Sequence, residues 1–406
     1  MLSACVAEPG SSRYAAPTPL DGPTRPGALP PPGAASARRV AILLPLTGQN
    51  AEVGQAMLKA AQLSLDQPGA PKLDQQDTGG TPEGAANAAR AALAAGAGII
   101  LGPLTAAETA AAAPLARAAG VPMLAFTSDA VQAQPGVWTL GITPGQQVRR
   151  LVLALQAENK TRLAAVVPDN PFGEALATGL LTATSSAGMP SPNVVRTPSS
   201  FSGLNDALKS VSDYGGRRGA LEAQQRSARA TNDADGRRTA AEIGRRAPPP
   251  PPMDALLLGA SGAQLNQVAP LLAFYDISPG RVRILGPATW ARDARRLPGM
   301  AGAWYAAPEP GARTGFEQQY ATRFNMAARD FTSLAYDAAG IARAVMAPEG
   351  YPVGSLTRAE GFAGADGLLA LLPDGQVRRG LAIFEIDLTG SHIVQPAPKT
   401  LAAPGV

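Results

Sequence analysis

The fold of this chain follows from one stretch, GIILGPLTAAETAAAAPLARAAGVPMLAFTSD, at residues 98–129. Its first apolar run, Gly98–Leu101, ends at a Gly-Pro pair, and a proline interrupts the hydrogen-bonded ladder of a strand. Thr105 or a near neighbour is placed to cap an alanine-rich helix, after which Val121–Phe126 forms a second apolar run. The stretch therefore predicts a right-handed βαβ unit with two parallel strands.

Both predicted strands point their carboxyl ends toward the same edge of a sheet. That edge carries Thr105 and Ala106 after the first strand, and Thr127, Ser128 and Asp129 after the second. Ligands of open α/β sheets bind at this kind of edge. We therefore predict a binding site made of hydroxyl groups and one carboxylate, with no His, Cys or Lys.

Length and composition exclude several classes of protein. The chain has 406 residues, more than one core usually holds, so two domains are expected. Its net charge of +4 is small for this length and gives no argument for nucleic-acid binding. A single Cys and a single His exclude a disulfide framework and a Cys/His zinc site, so neither a metal nor a cofactor is expected. No apolar run of about 18 residues predicts a membrane-spanning helix.

The N-terminal segment, residues 1–37, is similar to a lipidation signal followed by a linker. Leu-Ser-Ala-Cys at residues 2–5 resembles the lipobox at which bacterial lipoproteins are cleaved before the cysteine is acylated. Cys5 is the only cysteine, and residues 6–37 hold much Pro, Gly and Ala but too little apolar surface to fold. Lipidation would make this the only membrane contact. The alternative is a stray cysteine in an unstructured tail.

Strands and helices alternate along the rest of the chain in two series. The first series begins with the apolar strand RVAILL at 39–44, and the pattern restarts with RLAAVV at 162–167. Near the end, strands at 367–372 and 381–386 predict a β-hairpin around a Pro-Asp-Gly turn. This alternation predicts an α/β protein with two doubly wound parallel-sheet lobes.

A segment of unusual charge, residues 215–252, interrupts the second series. Residues 216–247 contain eight arginines and four acidic residues, so this segment accounts for the whole net charge of +4. Five prolines follow it at 248–252. We predict a basic surface insertion, helical or partly disordered, which is either a solvated surface or a contact surface for an acidic partner.

Residues 39–395 resemble type I periplasmic binding proteins of the leucine/isoleucine/valine-binding kind. The resemblance rests on RVAILLPLTGQNAEVGQAMLKAAQL, on the stretch from Gly102 to Asp129, on VVPDNPFGEAL and on the closing strands. Within that superfamily the chain is most similar to the penicillin-binding-protein activator lipoproteins. The shared motifs are ILLPLTG, DTGGTPEGA, LAFYDISPGRVRILG, SLAYDAAG and GFAGADG. A lipobox and a long linker suit the same subfamily.

The resemblance implies two lobes joined by three crossovers. The first lobe would hold residues 39–142 and 306–367, and the second would hold residues 145–303 and 370–395. In this family the ligand lies between the lobes, so the residues on the facing edges are the candidate site.

The amino-acid-binding site of the family carries over to this chain only in half. The family holds the ligand carboxylate at positions that match Thr105-Ala106 and Thr127–Asp129. The acid that would bind the ammonium group is replaced by Ala288, and the aromatic hydroxyl by Phe172. A buried ammonium without a partner costs several kcal/mol, so a free branched-chain amino acid is a poor ligand.

Catalysis is the weaker interpretation. Asp77-Thr78-Gly79 is the aspartic-protease tripeptide, but that chemistry needs two carboxylates and the tripeptide occurs once. His392, the only histidine, lies beyond the last strand of the predicted hairpin. We therefore predict a protein that is not an enzyme.

Two functions remain open. The first is a lipid-anchored periplasmic regulator that binds and activates a bifunctional, class A penicillin-binding protein in peptidoglycan synthesis. Because Val6 rather than a sorting Asp follows Cys5, we expect outer-membrane retention. The second is a substrate-binding protein of an ABC transporter for an amino acid or a similar small solute. Ala288 and Phe172 favour the regulator, whereas the hydroxyls on the first lobe favour the receptor.

Overall fold

The computed structural model of the chain describes residues 38–401. The predicted lipobox at Cys5 and the whole predicted linker lie outside these residues. Within them, strands and helices alternate as predicted. The strands are β1 Arg39–Leu44, β2 Leu73–Asp77, β3 Ala97–Leu101, β4 Met123–Ala125, β5 Val137–Thr139, β6 Leu163–Pro168, β7 Asn193–Thr197, β8 Ala255–Leu258, β9 Arg283–Gly286, β10 Trp304–Ala307, β11 Phe362–Gly364, β12 Gly367–Leu371, β13 Val377–Arg379, β14 Ala382–Ile386 and β15 Ser391–Gln395. The α-helices are α1 Ala51–Leu65, α2 Pro82–Ala94, α3 Ala106–Ala118, α4 Pro144–Ala157, α5 Pro171–Ser186, α6 Phe201–Val211, α7 Tyr214–Ala230, α8 Ala234–Arg245, α9 Ala263–Phe274, α10 Pro310–Phe324, α11 Thr332–Val345 and α12 Val353–Leu356.

The first lobe is built on a parallel sheet of five strands in the order β2-β1-β3-β4-β5. After its first residue β1 is completely buried, as expected for a strand that is covered by helices on both faces. On one face, α1, α10 and α11 contribute Met57, Tyr320 and Ala338 to the core. On the other face, α2 and α3 pack mainly through alanines.

The second lobe is built on a sheet of seven strands in the order β15-β14-β10-β9-β8-β6-β7. Strands β10, β9, β8, β6 and β7 are parallel, and β14 and β15 join one side of this sheet as antiparallel strands. Both faces of the sheet are covered, one around Trp290 and Tyr305 and the other around Leu151 and Leu176. The predicted fold class, two α/β lobes with parallel sheets, is therefore confirmed.

The predicted closing hairpin is wrong. Strand β12 pairs with β11 and β13 in a small antiparallel sheet, whereas β14 pairs with β10 and β15 in the second lobe. The small sheet packs on the first lobe through Leu369, Leu371 and Val377. The short strand β13 was missed because two of its three residues are arginines, which give little β signal.

The chain crosses between the lobes three times, from β5 to α4, from β10 to α10 and from β13 to β14. The first and third crossovers are hydrogen-bonded to each other by side chains. Gln146 Nε2 donates to the carbonyl of Val377 at 2.5 Å, and Arg379 Nη2 donates to the carbonyl of Leu140 at 2.7 Å. Arg150 Nε donates to the third crossover at 2.8 Å as well.

The basic insertion forms an antiparallel pair of helices, α7 and α8. Seven of its eight arginines are exposed. The exception is Arg217, which is 6% exposed and donates to the carbonyls of Ser212, Tyr275 and Pro249. The base of the helix pair is therefore fixed to the second lobe by one buried guanidinium. None of the helices within residues 38–401 has the length and apolar character needed to cross a membrane.

Candidate functional site

The carboxyl edges of the two parallel sheets face each other. In a parallel sheet, a helix that leads into a strand starts at the carboxyl edge and runs back to the amino edge. Strand β5 ends at Thr139 on the first lobe, and α4 of the second lobe begins only a few residues later, at Pro144. The chain therefore passes directly from one carboxyl edge to the other. We call the residues on these two edges the inter-lobe edge.

On the first lobe, the Gly-Pro turn brings the chain close to β1. Gly102 has φ +87°, and a Cβ at this position would lie 2.3 Å from the carbonyl oxygen of Leu43. Only glycine fits here. Because β3 and β4 are neighbours, with Leu101 beside Leu124, the loops that follow them lie at adjacent positions on the edge.

Thr105 caps α3 as predicted, but its polar atoms are bound by the protein itself. Its hydroxyl donates to Glu108 Oε2 at 2.7 Å and its N–H donates to the same oxygen at 2.9 Å. The other oxygen of Glu108 accepts the hydroxyl of Thr78. Glu108 is fully buried. Glu108 was not among the predicted site residues, although Thr-x-x-Glu before a helix is the signature of a capping box.

The loop after β4 is also hydrogen-bonded within itself. Thr127 is buried, and its hydroxyl accepts the N–H of Asp129 at 3.0 Å. The carboxylate of Asp129 accepts the N–H of Val131 at 3.1 Å and the side-chain amide of Gln132 at 3.1 Å. Ser128 is exposed. It and the start of α3 at Ala106, where helix N–H groups lack intrahelical partners, are the polar groups this edge can offer to a ligand.

The second lobe places Phe172 and Ala288 after β6 and β9, on its own carboxyl edge. Phe172 is half-buried and packs on the core of that lobe. The N–H of Ala288 donates to Gln147 Oε1 at 2.7 Å, and Gln147 is itself 7% exposed. Gln147 was not predicted, because a glutamine within a helix gives no signal of a partner 141 positions away.

Asp77 organises the turn that follows β2. Its carboxylate accepts N–H groups from Leu46 and Gly79, both at 2.8 Å, and the hydroxyl of Thr47 at 2.7 Å. Burial raises the pKa of Asp77, but these hydrogen bonds outweigh it and hold the pKa below its usual value. The carboxylate supports the turn interpretation of Asp77-Thr78-Gly79.

Residues of the SLAYDAAG and GFAGADG motifs meet in a buried cluster of charges in the first lobe. Asp366 pairs with Arg313 at 2.7 Å and accepts the hydroxyl of Ser333 at 2.7 Å. Asp337 Oδ1 accepts the N–H of Ala365 at 2.6 Å. The cluster therefore joins α10 and α11 to the turn between β11 and β12, although sequence comparison gave these residues no role.

The electrostatics of this cluster are unbalanced at Asp337. Burial raises its pKa to about 7, against the lowering effect of Arg379 and of the N–H of Ala365. Its Oδ2 atom is buried and has no hydrogen-bond partner among the described residues. Within residues 38–401, no group of three or more His, Cys, Asp or Glu side chains is arranged to hold a metal ion.

Solved structures with this fold include both regulators and receptors. The C-domain of LpoA from Haemophilus influenzae, a regulator of PBP1A, has a TM-score of 0.62 at 14% identity, covering 88% of this chain and 99% of that one. A branched-chain amino acid ABC transporter periplasmic ligand-binding protein from Burkholderia xenovorans LB400 has a TM-score of 0.61 at 15% identity, covering 90% and 97%. A solute-binding protein from Rhodopseudomonas palustris BisB5, in complex with 3,4-dihydroxybenzoic acid, has a TM-score of 0.55 at 14% identity, covering 90% and 98%. These identities show a shared fold and do not choose between the two functions.

The sequence profile of the periplasmic binding proteins matches residues 38–244, about half of the chain. No curated protein matches the sequence. The chain belongs to the periplasmic binding protein family, with the leucine-binding-like type I fold, and this membership implies a location in the periplasm.

Proposed function

We propose that this member of the periplasmic binding protein family is a non-catalytic, lipid-anchored regulator that binds and activates a class A penicillin-binding protein in peptidoglycan synthesis. The observation that carries the proposal is that polar groups at the inter-lobe edge are already hydrogen-bonded within the protein. Thr105 and Thr127 match the positions at which the family holds the ligand carboxylate, and Ala288 lies on the facing edge. The two hydroxyls and the N–H of Ala288 all have partners within the protein.

Binding of a free amino acid at this edge would be costly. The ligand would have to displace Glu108 from Thr105 and Gln147 from Ala288, leaving buried polar groups without partners at about 1–3 kcal/mol each. No acid stands at position 288 to bind the ammonium group. A protein used for contact with another protein does not need these groups to be free.

The hydrogen bonds between the crossovers support the same proposal. Receptors of this architecture close on a ligand by rotation about their crossovers. Here Gln146, Arg150 and Arg379 hydrogen-bond the first and third crossovers together. Of these bonds, the one from Gln146 joins α4 of the second lobe to β13 beside the first, and rotation would break it. This bond therefore favours one arrangement of the lobes, as suits a surface that recognises a partner.

The remaining parts of the proposal rest on sequence and on structural similarity. The similarity to the LpoA C-domain, a regulator of PBP1A, supports a peptidoglycan synthase as the partner. The lipobox at Cys5 supports lipid anchoring, and Val6 supports retention at the outer membrane. Mass spectrometry of the native protein tests the anchor, since an unmodified Cys5 would contradict it.

The decisive experiment is a pull-down of the purified full-length chain with each class A synthase of the host, followed by a glycan-polymerisation assay. We expect one synthase to bind and to polymerise faster. Ser128→Trp is the matched variant, because it blocks the inter-lobe edge at an exposed position. The regulator should keep full activity with this variant. A clean negative with every class A synthase would refute the proposal.

A second candidate is a substrate-binding protein of an ABC transporter for an amino acid or similar small solute. Exposed Ser128 and the start of α3 favour it, because helix N-termini bind carboxylates. A true ligand at 100 times its dissociation constant would stabilise the protein by ~2.7 kcal/mol in a thermal-shift screen. Ser128→Trp should abolish that shift. Absence of any shift in this screen would argue against the receptor.

A further inference from the structure

The helix pair α7 and α8 projects from the second lobe and is exposed on both of its faces. Within residues 215–247 the buried positions are Arg217, Gly236, Ala240 and Ile243. Arg217 fixes the base, and the other three lie on the side of α8 that meets α7. On α7 the matching side is marked by Gln225, whose Nε2 donates to the carbonyl of Ala240 at 3.1 Å. The other sides of both helices are open to solvent.

The exposed arginines of the pair are arranged in two stripes. Positions three or four apart lie on one side of a helix. The stripes are Arg218, Glu222, Arg226 and Arg229 on α7, and Arg237, Ala241 and Arg245 on α8. In each helix the stripe is displaced from the contact side in the same rotational sense, by roughly a third of a turn. Because the helices are antiparallel, both stripes lie on one face of the pair, and we call these seven residues the basic face.

The opposite face of the pair does not carry this charge. Small side chains of α7, among them Ala220 and Ser227, are exposed there, and α8 contributes the acids Asp235 and Glu242. Five of the seven exposed arginines of the insertion are therefore collected on one side. Charge of one sign that is concentrated on a single face attracts a partner of opposite charge and orients it.

The arginines of the basic face are largely free to bind. Arg226 lies 3.9 Å from Glu222, at the limit of an ion pair, and in the part of the chain that the structure describes the other four form no ion pair. Arg218 instead stacks its guanidinium 4.7 Å from the ring centre of Tyr214. Stacking leaves the N–H groups available, because they lie in the plane of the guanidinium.

An exposed aromatic side chain extends the basic face at its base. The ring of Tyr214 stacks on that of Phe274 in α9, with centroids 5.5 Å apart and planes at 28°. Phe274 is 59% exposed, which is unusual for so large an apolar residue. Arg218, Tyr214 and Phe274 thus form a continuous stack that leads from charged to apolar surface. A partner that covers this region needs an apolar group next to its acidic groups.

We propose that the basic face binds an extended acidic segment of a partner protein, with a large apolar residue of that segment packed on Phe274. From Arg218 to Arg229 the face is about 16 Å long, at 1.5 Å per helical residue. An extended chain rises about 3.3 Å per residue, so roughly five residues cover the face. Alternate side chains of such a segment place about three carboxylates against the guanidinium forks, which bind carboxylates in a bidentate manner.

The surface suits a polypeptide better than a membrane. Helices that bind membranes insert large apolar side chains along their length. The exposed residues between 215 and 247 are charged, polar, alanine or glycine. Phe274 lies at the base of the pair and on a different helix, where it can meet one side chain of a bound segment. Carboxylates on a peptide bind to the arginines without any insertion.

The test titrates the full chain with fluorescently labelled peptides and follows their polarisation. The peptides are hexaglutamate, hexaglutamate with a phenylalanine added at one end or at the other, and hexaglutamine. We expect hexaglutamate to bind and hexaglutamine not to bind. One of the phenylalanine-ended peptides should bind more tightly than hexaglutamate. Affinity should fall as salt is raised from about 50 to about 200 mM, because the charges are exposed and are screened.

Two double variants with the same change in net charge separate the basic face from the overall charge. Arg229→Gln with Arg237→Gln removes two charges from the basic face, and Ala220→Glu with Ser227→Glu adds two acids to the opposite face. The first should weaken hexaglutamate binding about tenfold, as expected for the loss of two exposed ion pairs. The second should bind nearly as the wild type does. Phe274→Ser should remove only the extra affinity of the phenylalanine-ended peptide.

Three results would overturn the proposal. The first is no binding of hexaglutamate at low salt, and the second is equal binding by the two double variants. The third is binding of phosphatidylglycerol vesicles, lost in the Arg229→Gln/Arg237→Gln variant, by a chain that binds no acidic peptide. All substituted positions are exposed, so unfolding is not expected, and matching melting temperatures of the two double variants check this.

This surface does not depend on the proposed regulator function, because the probes are synthetic peptides. A failure of every class A synthase to bind would refute the regulator and leave peptide binding unchanged. Failure of the peptides to bind, with a synthase still captured, would overturn the basic face alone.

Discussion

The inter-lobe edge and the buried charge cluster around Asp337 differ in how their polar groups are partnered. At the edge, Thr105, Thr127 and the N–H of Ala288 are each bound by another group of the chain. In the cluster, Asp337 Oδ2 is buried and has no hydrogen-bond partner among the described residues. Three polar groups at the position where the family binds its ligands thus have internal partners, whereas Asp337 Oδ2, outside that position, has none among the described residues.

This difference shows that a conserved architecture does not by itself say where a ligand would bind. The hydrogen-bond inventory of each region is more informative, because a ligand gains little by replacing bonds that already exist. Removing the internal partners one at a time tests this difference.

The largest effect is expected for Glu108→Ala. The substitution leaves the hydroxyls of Thr78 and Thr105 without their acceptor in a buried site, and it creates a cavity. We expect a loss of about 4 kcal/mol in the free energy of unfolding, measured with urea. Thr105→Ala is the control and should cost only about 1 kcal/mol, the value of a helix cap. Equal losses in the two variants would show that Glu108 does not serve Thr78.

Asp337→Asn should change how stability depends on pH. The folded-state pKa of Asp337, about 7, lies above its usual value of 3.8, so its contribution is fully present below pH 4 and is lost as pH rises through 7. Asparagine keeps an acceptor for the N–H of Ala365 and carries no charge. At pH 8 the variant should therefore be more stable than the wild type by on the order of 2 kcal/mol, and the two should converge near pH 4. Parallel stability–pH curves would contradict this.

Gln147→Ala tests the second lobe's side of the edge. It removes the acceptor of the Ala288 N–H and should cost about 1 kcal/mol, since Ala288 is only half-buried and water can replace the lost bond. Gln146→Ala is the control, because it removes a neighbouring side chain that bonds the third crossover and not Ala288. Comparing the two variants separates the effect of the crossover bond from that of the inter-lobe edge. If the edge is a latent ligand site, Gln147→Ala should be the variant in which amino-acid binding appears.

The smallest effect on stability is expected at the basic helix pair. Replacing residues 220–245 by a short Gly-Ser linker removes exposed arginines but keeps Arg217, which fixes the base. The free energy of unfolding should stay within about 0.5 kcal/mol of the wild type. Arg217→Ala is the contrasting variant and should be clearly destabilised, because it leaves the buried carbonyls of Ser212 and Tyr275 without their donor. Loss of synthase binding on removal of residues 220–245 would identify this pair as the contact surface for an acidic partner.

Local signals predicted most of the fold. The Thr105 cap, the Gly-Pro turn at Gly102 and the apolar run of β1 each act over a few residues, and the structure has all three where expected. Pairing of distant segments was harder to predict. The prediction of a closing hairpin was wrong because β14 pairs with β10, which is distant in the sequence, and not with β12, which is close.

The site was less predictable than the fold because its contacts, too, join segments that are distant in the sequence. Thr105 was recognised as a polar residue on the correct edge, but its partner Glu108 is also held by Thr78, 30 positions away. Asp337 stood inside a motif that marked the subfamily, yet its burial beside Arg379 exists only in three dimensions. Residue type shows which groups have the chemistry to bind a ligand. Only the packing shows which of these groups are not already bound by another group of the protein.

The position of β1 determines how the protein would respond to mechanical force. It is the first strand of the described chain, and it lies inside its sheet between β2 and β3 with parallel hydrogen bonds on both sides. A pull on the chain before residue 39, directed along the strand, would load both ladders in shear, so their bonds would have to fail together rather than one after another. Force applied at this end would therefore have to break two hydrogen-bonded ladders at once before β1 leaves its sheet.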